Sequence, residues 1–270
     1  MYYTPDLSKL MIIADFDGTL TQAYAHGHKT PSLTHLLTST DCLSHHLSEQ
    51  LHFLYQHYRP LEYDPTLDFW HKTLLMEERW TKVKHLMIQE KLHKQHIEII
   101  THADYMLLRP GVPDMFTFAQ IHHIPIIIIS ASGVWYDTIY EYLQYRNLRS
   151  DNVTIISNQC IRDTDGTMID FSRPIIHSLN KSGQMITSHP NYHIRKEKTD
   201  ILLLGDNVHD IQMSQWISYS RQYSIWRCNE NKDTNLPVYQ NTFDHVITDD
   251  GPMNNVIWRL QSATDYHSDL

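Results

Sequence analysis

Four short apolar runs punctuate the chain: LMIIADF over 10–16, IPIIIIS over 124–130, VTIIS over 153–157 and DILLLGD over 200–206. Each is continuous rather than alternating and is bounded by polar or turn residues, the pattern of a strand covered on both faces. A fifth, weaker run spans 243–250. Between the runs, apolar positions recur at helical spacing around 112–122, 134–147, 208–218 and 252–262. Strands alternating with helices predict an α/β fold built on a parallel sheet.

The interval between the first two runs breaks that rhythm. Roughly a hundred residues separate Asp17 from Pro125, and two stretches within them, 41–58 and 67–100, read as helix. A crossover within one sheet needs about a dozen residues. The surplus predicts a helical subdomain, over 21–105, inserted just after the first strand of a core formed by 1–20 and 106–270. Between the third and fourth runs, residues 158–177 carry the turn DTDGT between alternating flanks, the signature of a β-hairpin.

Composition narrows the partners. With 22 Lys+Arg against 31 Asp+Glu and a net charge of −9, the chain lacks the basic balance that a nucleic-acid polymer requires. A small anion in a locally positive pocket remains compatible with it. The three cysteines are isolated, with no CxxC pair, which points to a reducing compartment and away from a disulfide framework or zinc ribbon. The N-terminal segment has no basic region before its short apolar run, and no apolar stretch reaches the roughly 20 residues of a membrane span. A cytoplasmic protein is the expectation. The 20 histidines are scattered without metal-ligand spacing and read as surface or incidental core residues.

The polar residues that matter fall at the ends of the predicted strands, where open α/β sheets bind ligands. Asp15 and Asp17 end the first, Ser130 the second and Asp206 the fourth, with Asp210 one turn later. In extended geometry Asp15 and Asp17 share a side, with Phe16 opposite. Like charges brought together need a cation, and Mg²⁺, which takes oxygen ligands from carboxylates and substrate phosphate, fits Asp15, Asp17 and Asp206. One aspartate can then attack phosphorus while a second moves the proton of the leaving group and of water. A hydroxyl from Ser130 and a lysine, for which Lys181 is the candidate, would hold the equatorial oxygens.

This ordered set, Asp15/Asp17, Ser130, Lys181 and Asp206/Asp210, resembles the four motifs of the haloacid-dehalogenase-like (HAD) phosphohydrolases. Longer segments, IADFDGTLT, LEYDPTLDFW, ERWTK, LLRPGV, IPIIIISAS, VTIISN, FSRPIIHSLNKSG and ILLLGDNVHD, resemble the cytosolic 5′-nucleotidase III family, which includes pyrimidine and 7-methylguanosine-phosphate nucleotidases. The resemblance implies a Rossmann-like core with a helical cap and Mg²⁺-dependent hydrolysis of nucleoside 5′-monophosphates through an aspartyl-phosphate. Transfer of the phosphate to another nucleoside is a possible side activity. It implies Asp15 as nucleophile, Asp17 as acid/base, and Ser130, Ala131 and Lys181 as phosphate contacts. Asp206 would complete the metal site, Asp210 would support Lys181, and Glu62 would recognise the base. Trp80 is a candidate stacking platform. Alternatives left open are a phosphatase for another small phosphomonoester and a non-catalytic nucleotide-binding homologue. A monomer is the expected state, since nucleophile, metal ligands and cap all lie in one polypeptide.

The chain departs from the family pattern at Ser132, at Asn207 and His209, and at Val83, where the family's cap often carries a serine. These departures bear on rate and on the preferred base.

Overall fold

The computed structural model describes residues 5–25, 27–30, 36–37, 43–103, 106–131, 135–190 and 197–268. In chain order the elements are β1 (Leu10–Ala14), β2 (Tyr24–Ala25), β3 (His28–Lys29), α1 (His45–Tyr63), α2 (Phe69–Gln89), α3 (Lys94–His102), α4 (Val112–Ile121), β4 (Ile126–Ser130), α5 (Trp135–Tyr145), β5 (Val153–Ser157), β6 (Cys160–Arg162), β7 (Met168–Phe171), α6 (Gln184–Thr187), β8 (Asp200–Gly205), a 3-10 turn (Val208–Ser214), β9 (Arg221–Cys228), α7 (Lys232–Thr242), β10 (His245–Thr248) and α8 (Asn254–Ser268).

Six of the strands form one sheet in the order β10-β9-β8-β1-β4-β5, and every pairing in it is parallel. The continuous apolar runs are explained by their two faces. Leu10, Ile12 and Ala14 pack in one core cluster with Ile126, Ile128, Leu202 and Leu204, while Met11 and Ile13 pack in a second with Ile127, Ile129, Ile201 and Leu203. Alternate residues of each strand thus go to opposite layers, and both layers are covered. The register pairs Ala14 with Ile128 on one side and with Leu204 on the other, so the carboxyl ends of β1, β4 and β8 come out together.

Helices α1, α2 and α3 occupy the long interval after β1. Ser44 caps α1 by accepting from Leu47 N at 3.2 Å, and Asp68 caps α2 by accepting from His71 N at 2.9 Å. The stretch 67–100 is broken rather than continuous: α2 ends at Gln89, and Lys91 takes a φ of +53°. The break is fixed by the hairpin β6–β7. Met168 N donates to Leu92 O at 2.8 Å and Lys94 N to Gly166 O at 3.0 Å, which stitches the α2–α3 corner to the predicted DTDGT turn. No helix among the described residues is long and apolar enough to cross a membrane.

Three differences from the sequence reading stand out. The predicted helix at 208–218 is a short 3-10 turn, the strand β9 was not anticipated, and neither was α7, which contains Pro237. Ser132 lies outside the described residues.

A second link between α2 and the sheet is a lysine. Lys84 is fully buried and its Nζ donates to Asn158 Oδ1 at 2.9 Å, with the Phe171 ring centroid 4.6 Å away. Burial, reinforced by Arg173, pulls its pKa down to about 7. Because the unfolded lysine keeps its proton to about pH 10.4, the unfolded chain binds more protons above pH 7, and this group makes folding more favourable as pH rises from 7 towards 10. Lys84→Met is expected to flatten that rise by on the order of 1–3 kcal/mol. Urea unfolding of both proteins at pH 7 and 9.5 measures the difference.

Candidate active site

The loop after β1 begins the site. Asp15 N donates to Leu204 O at 3.0 Å, but the strand stops at Ala14 and residues 17–20 form a turn. The extended alternation expected to aim Asp15 and Asp17 alike therefore ends between them: Asp15 is buried and Asp17 is half-exposed. Gly18 is required at that turn. Its φ is +74°, and a Cβ there would stand 2.5 Å from Asp206 Oδ2.

Buried Arg109 holds the turn from beneath. Its Nη2 donates to Gly18 O at 2.7 Å, its Nε to Thr19 O at 3.0 Å and its Nη1 to Gly251 O at 2.9 Å, and it pairs with Asp250 at 2.7 Å. Asp250 in turn accepts from Ala23 N and Tyr24 N at 2.9 and 3.0 Å. Sequence reasoning missed this residue. Its ligands are mostly backbone carbonyls, so no side-chain motif announces it.

Lys181 arrives on a loop built by side chains. Asn158, just past β5, donates to Ile176 O and accepts from Ile176 N, both at 2.9 Å, and Asn180 donates to Ile175 O at 2.7 Å and accepts from His177 N at 2.8 Å. Lys181 Nζ then forms an ion pair with Asp15 Oδ1 and a second with Asp210 Oδ1 at 2.9 Å. Asp210 Oδ2 accepts from Asp206 N at 3.2 Å and Asn207 N at 3.0 Å, a capping arrangement that opens the 3-10 turn. Tyr239 donates to Asp206 O at 2.8 Å and Trp226 Nε1 to Asn207 O at 3.0 Å, which fix the peptide that carries Asp206.

Ligand oxygens of Asp15, Asp206 and Asp210 lie within 4.8 Å of one another. Asp17 is not one of these three, yet it stands near enough to act electrostatically on both Asp15 and Asp206. Both Asp210 oxygens are already engaged, and Asp206 Oδ2 accepts a long hydrogen bond from Asn229 Nδ2 at 3.4 Å. Burial pushes Asp206 well above the usual carboxylate range, with Asp15 and Asp210 adding to it. Burial likewise raises Asp15 to about 7, against the pull of Lys181 and with repulsion from Asp210 and Asp17. Lys181 is held above its ordinary value because Asp15 and Asp210 outweigh its burial. One lysine facing three carboxylates leaves an excess of negative charge, the donor set that a hard divalent cation takes.

Ser130, 1% exposed, ends β4 level with Ser157 of β5 and two residues past the partner of Ala14, and Ala131 follows it. Glu62, on the last turn of α1, is 3% exposed and reaches the core: Ser178 Oγ donates to its Oε1 at 2.6 Å and Arg59 Nη1 to its Oε2 at 2.9 Å. Trp80 is half-buried against the larger core cluster with the Arg79 guanidinium 5.0 Å from its ring centroid, and Val83 is buried in that cluster. His209 lies in the 3-10 turn, and burial holds its pKa down.

The profile of the pyrimidine 5′-nucleotidase (UMPH-1) family matches residues 18–262, most of the chain. The chain belongs to that family. It is 30% identical over 250 residues to the 7-methylguanosine phosphate-specific 5′-nucleotidase of Gallus gallus, covering 92% of this chain and 86% of the relative. To the Homo sapiens protein of the same name it is 28% identical over 254 residues, covering 94% and 84%. A crystal structure of cytosolic 5′-nucleotidase IIIB bound to cytidine matches with a TM-score of 0.83 at 26% identity, over 98% of this chain and 89% of that one. A phospho-aspartyl intermediate analogue of phosphoserine phosphatase shares the fold, with a TM-score of 0.53 at 15% identity over 96% and 98%. The UMPH-1 family and the HAD-like fold agree with the motifs in the sequence.

Gly18→Ala combines a disfavoured backbone conformation with a clash on Asp206. It is expected to cost about 1–3 kcal/mol of stability and to displace Asp206. Thermal melts and phosphatase assays of the variant should show both a lower Tm and at least a tenfold loss of kcat.

Proposed function

We propose that the protein is a divalent-metal-dependent 5′-nucleotidase that hydrolyses nucleoside 5′-monophosphates to nucleoside and phosphate, with Mg²⁺ as the natural cation. The observation that carries this reading is the convergence of Asp15, Lys181, Asp206 and Asp210 at the carboxyl end of the parallel sheet, in a chain of the pyrimidine 5′-nucleotidase family.

Asp15 and Asp206 would hold the cation, with Asp17 on the adjoining turn. When bound, the ion neutralises excess carboxylate charge and polarises the phosphoryl oxygens. An Asp15 oxygen attacks phosphorus as the bond from phosphorus to the 5′ oxygen breaks, and Asp17 gives its proton to the departing alkoxide. Asp17 then takes a proton from water, which attacks the aspartyl-phosphate and frees Asp15. The half-exposed position of Asp17 suits a group that exchanges protons with solvent and leaving group in turn. Ser130, Ala131 and Lys181 are assigned to the phosphoryl oxygens, and Asp210 keeps Lys181 oriented. Glu62 is assigned to the base, a role supported by its place on the face of α1 that meets the core.

Phosphate release from CMP, UMP and 7-methyl-GMP tests the reading directly. Release from at least one of them that is abolished by chelation and restored by Mg²⁺ is the expected result. Turnover of none of the three, with turnover of another phosphomonoester such as an amino-acid phosphate, would overturn it.

Asp15→Asn removes the nucleophile and Asp17→Asn the proton carrier. Single-turnover assays are expected to show kcat lower by at least 10³-fold for the first and by about 10²–10⁴-fold for the second. Only Asp17→Asn should still accumulate phosphorylated enzyme.

A further inference from the structure

Around Glu62 the structure gathers more positive charge than one carboxylate balances. Arg59 bonds it at 2.9 Å and lies with its guanidinium 4.4 Å from the Tyr63 ring centroid. A second guanidinium, Arg79 of α2, lies 5.0 Å from the Trp80 ring and 5.5 Å from the Tyr55 ring, and its Nε is buried with no hydrogen-bond partner among the described residues. Glu62 and Arg59 both act electrostatically on Arg79. The group adjoins the phosphate-handling end: Asn207 Nδ2 donates to the Tyr63 hydroxyl at 3.3 Å beside Asp206, and Ser178 stands three residues before Lys181.

We propose that Arg59 and Arg79 are specificity residues that turn the base site against a cationic nucleobase and towards a neutral base with a carbonyl acceptor. This rests on the nucleotidase reading above. A free glutamate in a buried site attracts a positively charged ring such as N7-methylguanine. Here each Glu62 oxygen already accepts a hydrogen bond, one of them from a cation, and two guanidiniums against one carboxylate leave a net positive field. A cationic ring entering that field is repelled at close range, well within a Debye length. A neutral base is not. A base carbonyl would also give Arg79 Nε an acceptor, since a guanidinium can only donate; 7-methylguanine carries one as well, so the discrimination lies in the charge. The two arginines therefore oppose the substrate named for the relatives with 28–30% identity.

The test measures kcat/KM for UMP, CMP and 7-methyl-GMP, each relative to p-nitrophenyl phosphate, which has no base. It uses the full chain with Mg²⁺ and the variants Arg79→Met, Arg59→Met and Arg79→Lys. Wild type is expected to favour UMP or CMP over 7-methyl-GMP by at least tenfold. Either methionine variant should shift that ratio at least tenfold towards 7-methyl-GMP, chiefly through KM, and Arg79→Lys should recover part of the wild-type preference. A wild type that favours 7-methyl-GMP, or a ratio unmoved in both methionine variants, overturns the proposal while leaving the nucleotidase reading intact. Turnover of p-nitrophenyl phosphate with none of any nucleotide rejects both.

Discussion

The lysine between Asp15 and Asp210 is the contact on which the rest of the molecule turns. Removing three carboxylates from water at the end of a parallel sheet is unfavourable, and burial alone pushes Asp15 and Asp206 towards the protonated form. Lys181 offsets part of this by bonding two of them at once. Its own burial is offset by the same two contacts. Neither the acids nor the lysine would be tolerated without the other, and the incomplete compensation that remains is what makes the site receptive to a cation and a phosphoryl group.

Holding that cluster together needs fixed backbone on three sides. The sheet register supplies the first, by ending β1, β4 and β8 at one level. Tyr239 and Trp226 supply the second, by bonding the carbonyls of Asp206 and Asn207. Arg109 supplies the third, with a guanidinium spread over carbonyls of the Asp17 turn and of the loop after β10. Arg227 donates to the same Gly251 carbonyl at 2.9 Å, and burial followed by repulsion from Arg109 lowers its pKa to about 9. Asp250 is the carboxylate that makes two adjacent buried guanidiniums affordable.

Much of this was legible in the chain because the signals were local. Strands buried on both faces need unbroken apolar runs, so β1, β4, β5 and β8 announced themselves, and the polar side chains gathered at strand ends followed from where the runs stop. β9 did not, because its first half is polar and half-exposed and two arginines interrupt it, one paired with Asp200 and the other with backbone carbonyls. α7 was hidden by Pro237 and by an αL residue, Asn231, at its start. Arg109, Tyr239 and Trp226 act on backbone atoms distant in sequence, so no spacing rule reaches them.

Two of the polar contacts between the helices inserted after β1 and the core differ in character. Lys84 reaches Asn158, with no carboxylate partner among the described residues, and Asn158 is the same residue that bonds both backbone groups of Ile176. Glu62 meets Ser178, two residues further along that segment. Lys181 follows three residues later. One short stretch, 176–181, thus takes one contact through Asn158 from α2 and one directly from α1 while it presents the lysine to Asp15. The placement of Lys181 thus depends on both inserted helices as well as on the sheet.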